Sequence, residues 1–180
     1  MDPLERLIIQ EGSALLYPLS TMGAHICVCP NHTTGRNTPL ETRAHVAMTG
    51  TFGYELDITT LTEEEKAQAV AFNQEYHKYN EIYREGDYYR IASYRENNTY
   101  DCWQAVTKDK TECLVTYVQV RYISRTKSVR LLLEGLDPQA RYQLAGTEEI
   151  YSGEMLMHAG YLQDMIFGEY GSRLLHFVRV

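Results

Sequence analysis

Nowhere in the 180 residues do 18 apolar side chains run together. The opening Met1-Asp2-Pro3-Leu4-Glu5-Arg6 also has neither the basic stretch nor the apolar segment of a secretory signal. No membrane span and no leader are expected, and a cytoplasmic location is. Positive charge is in short supply: 17 Lys and Arg face 24 Asp and Glu, a formal net charge of -7. That balance offers no broad electrostatic attraction to nucleic acid or to anionic lipid. Cysteine is sparse. Cys27, Cys29, Cys102 and Cys113 are too few and too scattered for a disulfide framework, so reduced thiols are expected. Phe and Trp number 4 and 1 against 15 Tyr, and Tyr suits half-buried sheet faces and sugar-binding surfaces equally. Three signatures of chemistry are missing as well: the Gly-x-Ser-x-Gly elbow of a serine hydrolase, the P-loop and the Rossmann glycine pattern.

What is present divides the chain into two grammars. Asp2 can cap a helix, Pro3 fits its first position, Glu5 completes a capping box, and Gly12 is a plausible stop. The run Ala24 to Pro30 lacks alternation and lies between Gly23 and Pro30, which predicts a strand buried on both faces. Thr38-Pro39-Leu40-Glu41 opens a second helix that should reach about Thr49, and Thr62-Glu63-Glu64-Glu65 opens the longest, which ends at Gly86. Helix, buried strand, loop and helix read as a parallel α/β arrangement. After residue 86 come short β-rich runs: Tyr88 to Ala92, Tyr100 to Val106, Cys113 to Tyr122, Ser128 to Leu133, Arg141 to Leu144 and Leu174 to Val180. With turn residues between them and no helix, they predict an antiparallel β-sandwich.

Polar loops at the C-terminal ends of parallel strands are where α/β barrels keep their active sites, which makes Asn31, His32 and Arg36 candidate binding residues. The alternative is that these three satisfy backbone groups in a tight loop. His25, Cys27 and Cys29 share one side of a strand by period-2 counting, with His32 close behind. No CxxC knuckle accompanies them, so small buried thiols and a hydrogen-bonded core histidine are expected rather than a metal site. Trp103 with Tyr88, Tyr89, Tyr94 and Tyr100 fits either an aromatic platform for a sugar or the core of the sandwich.

Several stretches taken together resemble the C-terminal portion of family 36 α-galactosidases. They are Asp2-Pro3-Leu4-Glu5-Arg6-Leu7, Met22-Gly23-Ala24-His25, Pro30-Asn31-His32-Thr33-Thr34-Gly35-Arg36, Thr38-Pro39-Leu40-Glu41-Thr42-Arg43 and Gly50-Thr51-Phe52-Gly53-Tyr54-Glu55-Leu56-Asp57. Gly86-Asp87-Tyr88-Tyr89-Arg90, Gly135-Leu136-Asp137-Pro138 and Tyr151-Ser152-Gly153-Glu154-Met155-Leu156 keep the same order. The resemblance implies a retaining glycosidase that removes terminal α-galactose from sugars such as melibiose and raffinose, with two aspartates and no cofactor. It implies the end of a (β/α)8 barrel over residues 1–60, a connecting helix over 61–86 and a C-terminal antiparallel β-sandwich over 87–180.

In the family the nucleophile lies in a Lys-x-Asp motif and the general acid/base in a Ser-Asp-x-Thr-Asp motif, of which this sequence matches only the last aspartate, as Asp2. No catalytic residue is therefore assigned here, and the 180 residues alone are expected to be inactive. Asn31, His32 and Arg36 would meet an α-galactoside only with the rest of the barrel. A strand deprived of its barrel neighbours would expose two edges, so self-association or docking on a complementary N-terminal fragment is expected. The resemblance also implies homo-oligomers. A non-catalytic sugar-binding module and a structural or oligomerisation β module are the alternatives.

Overall fold

The computed structural model describes residues 1–180, which separate into two compact units, Met1–Arg84 and Glu85–Val180. No helix is long and apolar enough to cross a membrane.

The first unit is built around a strand–helix–strand crossover. Helix α1 (Pro3–Ala14) starts as its sequence dictates: Asp2 Oδ1 accepts from the backbone N–H of Leu4 and Glu5 at 2.9 and 3.2 Å. It runs through Gly12 rather than stopping there, since one glycine inside a helix costs only about 1 kcal/mol. Strand β1 (Gly23–Cys27) pairs in parallel with β2 (Thr51–Glu55), from Gly23 opposite Thr51 to Cys27 opposite Glu55. Helix α2 (Leu40–Ala47) makes the crossover, with Pro39 rather than Thr38 in the capping position. It is buried on nearly every side, so its polar residues need partners. Arg43 donates to the carbonyls of Thr38 and Cys27 at 3.1 and 2.7 Å, and Gln10 of α1 donates to the Val46 carbonyl at 3.0 Å.

Two expectations about β1 need correction. It is not buried on both faces: Ala24 and Ile26 are fully buried while His25 is exposed. Nor are both its edges free, because β2 takes one of them. On the side carrying His25, Asn31 of the following loop covers Cys27 while His25 stays exposed, so His25 is no core histidine.

Helix α3 (Glu63–Glu85) begins with a reciprocal capping box. The Thr62 N–H donates to the Glu65 carboxylate at 2.9 Å, and the Glu65 N–H donates to Thr62 Oγ1 at 3.2 Å. It packs on β2 through Tyr76, stacked on Phe52 with ring centroids 5.0 Å apart, and through Tyr54, whose hydroxyl donates to the Ala69 carbonyl at 2.8 Å.

The second unit is antiparallel. Its strands are β3 (Asp87–Ala92), β4 (Tyr100–Val106), β5 (Glu112–Gln119), β6 (Ser128–Leu131), β7 (Arg141–Leu144), β8 (Ile150–Ser152), β9 (Tyr161–Asp164) and β10 (Ser172–Arg179), with short helices α4 (Tyr94–Asn97) and α5 (Gly153–His158) among them. Six of the strands form one sheet in the order β3-β4-β5-β10-β7-β8, and β6 pairs with β9 in a separate ribbon. Leu131, Leu133 and Leu156 of the ribbon and α5 region join Cys102, Val106, Cys113, Val115, Tyr117, Tyr142 and Phe177 of the sheet in one core. The second layer of the sandwich is thus a two-stranded ribbon and a helical turn instead of a full sheet. Gly153 opens α5 because a Cβ there would lie 2.0 Å from the Asp137 carbonyl oxygen. Trp103 is 4% exposed on β4, which removes it from any sugar platform.

Candidate functional site

Twelve residues, Val28 to Pro39, connect the C-terminal end of β1 to α2, whereas such connections commonly take about 2–6. Half of this loop is a closed ring. The Asn31 N–H donates to the Arg36 carbonyl at 2.9 Å and the Gly35 N–H to the Asn31 carbonyl at 2.8 Å. Gly35 sits at φ 68°, a left-handed conformation that only glycine adopts without strain.

Asn31 is buried and occupied by this ring. Its Oδ1 accepts from the N–H groups of Thr33 and Thr34 at 3.0 and 3.1 Å, and its amide donates to Cys27 Sγ at 3.5 Å. Side-chain acceptance two and three residues on is how Asn stabilises a turn. Arg36 leaves the ring and forms an ion pair, through Nη1, with Asp2 Oδ1. Thr34 Oγ1 donates to the other oxygen, Asp2 Oδ2, at 2.8 Å. Asp2 therefore collects two helix N–H groups, a hydroxyl and a guanidinium while itself nearly inaccessible. A buried carboxylate is tolerable only when satisfied in this way. His32, next to Asn31 in the ring, is exposed.

The three residues singled out in the sequence therefore share one loop but face different surroundings. Asn31 turns inward, Arg36 reaches across to α1, and His32 faces solvent. Sequence reasoning placed Asp2 as a helix cap and as the last aspartate of a family motif, and it gave Thr34 no role of its own. The capping pattern is local and readable, while the Asp2–Arg36 pairing joins residues 34 positions apart and leaves no mark in a single sequence.

A cavity of about 80 Å³ at the C-terminal ends of both strands is lined by Val28, Cys29, Arg43, Leu56, Leu61 and Glu65. Small-molecule sites commonly span about 300–1,000 Å³, so this cavity does not enclose a sugar.

Comparison with known proteins accounts for that shortfall. A family model described as melibiase matches residues 1–86, and one described as the glycosyl hydrolase family 36 C-terminal domain matches residues 100–177. The chain belongs to glycoside hydrolase family 36. It corresponds to the C-terminal part of the family's α-galactosidases. Over 176 residues it is 39% identical to alpha-galactosidase Mel36A of Lactobacillus acidophilus, a match spanning 98% of this chain and 24% of the relative. To alpha-galactosidase AgaA of Geobacillus stearothermophilus it is 44% identical over 162 residues, covering 88% of this chain and 22% of the relative.

Among solved family 36 structures, an AgaA variant in complex with raffinose superposes with a TM-score of 0.95 at 38% identity, over 99% of this chain and 25% of that one. An AgaA variant with stachyose gives a TM-score of 0.92 at 37% identity, over 99% of this chain and 25% of that chain. The chain thus spans about a quarter of the length of the relatives it matches. Both grammars read from the sequence, the barrel end and the antiparallel domain, correspond to family 36 regions.

Proposed function

We propose that these 180 residues form the closing part of a retaining α-galactosidase that hydrolyses terminal α-galactosides such as melibiose and raffinose, and that they are inactive without the rest of the barrel. The observation that carries this reading is the β1–β2 pair: two parallel strands with a crossover helix and open outer edges. It is an arrangement that parallel sheets show only as part of a larger, covered sheet.

A retaining mechanism requires two carboxylates about 5–5.5 Å apart, one attacking the anomeric carbon and the other protonating the leaving oxygen. Asp2, the carboxylate tied to the loop, is committed to the cap of α1, to Thr34 and to Arg36. Both reacting groups must then come from a complementary segment, and the loop carrying Asn31, His32 and Arg36 supplies one wall of the sugar site. No cofactor is required by this chemistry. A cytoplasmic setting accords with four free thiols, three of them buried.

The test is hydrolysis of a nitrophenyl α-galactoside by the purified chain, alone and mixed with a separately expressed upstream barrel segment. Activity in the mixture and none in the chain alone supports the reading.

A structural role is the second reading for residues 87–180, favoured by the self-contained core of that sheet. On that reading the domain buttresses the barrel and forms contacts within a homo-oligomer, and subunit mass measured with and without residues 87–180 tests it.

A further inference from the structure

We infer that Arg36 is a positioning residue: through Asp2 it clamps the ring Asn31–Arg36 to the N-terminus of α1 and so fixes where His32 is presented. The inference rests on the proposed α-galactosidase reading only for what His32 meets; the clamp itself stands on the geometry of the first unit.

Three observations carry it. First, the ring closes on itself through two backbone bonds, Asn31 N–H to Arg36 carbonyl and Gly35 N–H to Asn31 carbonyl, so a tie at one of its residues constrains the others. Second, that body is tied to α1 by two side chains that meet both oxygens of a single carboxylate, Arg36 at Oδ1 and Thr34 at Oδ2. Because Oδ1 also accepts from the Leu4 and Glu5 N–H groups, the anchor point is part of the helix end and not a loose side chain. Third, the loop is longer than a connection from β1 to α2 needs, and it commits a partly buried charge pair to a segment in which His32 is exposed. A connector with no task beyond joining two elements gains nothing from such an anchor, since buried ion pairs seldom add net stability. A loop that must present one side chain at a fixed place does gain, because ordering before binding lowers the cost of binding.

Of the loop residues, Asn31 and Arg36 then hold the ring, and His32, exposed like its neighbour Thr33, is the side chain whose chemistry best suits a sugar. Its imidazole suits the hydroxyls of a sugar, since one ring nitrogen donates and the other accepts.

Amide hydrogen exchange on the full 180-residue chain tests the clamp without reference to activity. Arg36→Ala is expected to speed exchange at Thr33, Thr34 and Gly35 by about tenfold or more, while the amides of β4, β5 and β10 keep their wild-type rates. Arg36→Lys, which keeps the charge but loses the planar fork, should restore part of the protection. Unchanged exchange at residues 33–35 in a folded Arg36→Ala chain overturns the clamp, and so does general loss of protection matched by Arg36→Lys.

In the reassembled enzyme, Arg36→Ala and His32→Ala should each raise KM for raffinose with kcat little altered, and the double variant should be no worse than His32→Ala alone. Additive effects on KM would mean that Arg36 meets the sugar itself and would overturn the positioning role. A reassembled wild type without activity would refute the enzymatic reading, and the exchange result would still decide the clamp.

Discussion

Asp2 shows how one short side chain can serve two levels of structure. It caps α1 through the Leu4 and Glu5 N–H groups and anchors a loop more than thirty residues away through Thr34 and Arg36. Replacing a capping Asp by Ala costs about 0.5–2 kcal/mol. Here Arg36 also loses its partner, so Asp2→Ala is expected to destabilise the first unit by about 1–2 kcal/mol in thermal or urea unfolding. Asp2→Asn should keep most of the cap and lose the ion pair. Glu75 offers a pH readout. Burial and the nearby Glu41 raise its carboxyl above the ordinary value of 4.5, with Lys78 opposing them. A raised folded-state value means that the folded protein holds this proton more tightly than the unfolded chain does. Stability is therefore lost as pH climbs from about 4.5 through the folded-state value. Glu75→Gln should accordingly raise the melting temperature at pH 7 and make little difference at pH 4, and an equal gain at both would contradict the assignment. At this scale the sequence disclosed the caps of α1 and α3, because capping acts within three residues. It could not disclose that Asn31 turns inward or that Arg36 crosses to α1, because those outcomes depend on how the chain returns on itself.

Elements with a strong local signature were legible. Helix α3 occupies Glu63–Glu85 as its capping box and terminal Gly86 imply, and β4 and β7 coincide with the β-rich runs at 100–106 and 141–144. The elements missed are those whose sequences carry little periodicity. Strand β2 has Gly53 at its middle, β8 has three residues, and Tyr161-Leu162-Gln163-Asp164 of β9 takes its place from pairing with β6. Strand β10 reads as a strand, but its position between β5 and β7 is a matter of topology that no local pattern encodes. That central position makes Phe177 the ring on which the second unit closes. It is fully buried and touches Tyr151 and Tyr161 edge-on at 6.2 and 5.6 Å. Phe177→Ala is expected to cost about 3–5 kcal/mol, visible as early loss of amide protection across β5, β7 and β10.

At the scale of the whole molecule, the two units differ in how complete they are. The antiparallel sheet has its ribbon, its short helices and a continuous core. The parallel pair has one crossover helix, open outer edges and an exposed His25, and a cavity at its strand ends is about 80 Å³. On the proposed reading, the chain keeps family motifs without the chemistry they serve, because a barrel's site is assembled from the ends of several strands. Full-length relatives four times longer, with raffinose and stachyose bound in AgaA variants, supply the pattern that this chain fits.

The measurement that bears most directly on this account is α-galactosidase activity of the purified chain, alone and then mixed with a folded upstream barrel segment carrying the nucleophile and the general acid/base. Turnover in the mixture with none in either piece is the expected result. Turnover by the 180-residue chain alone would contradict the account, since it would mean that two catalytic carboxylates lie within these residues after all.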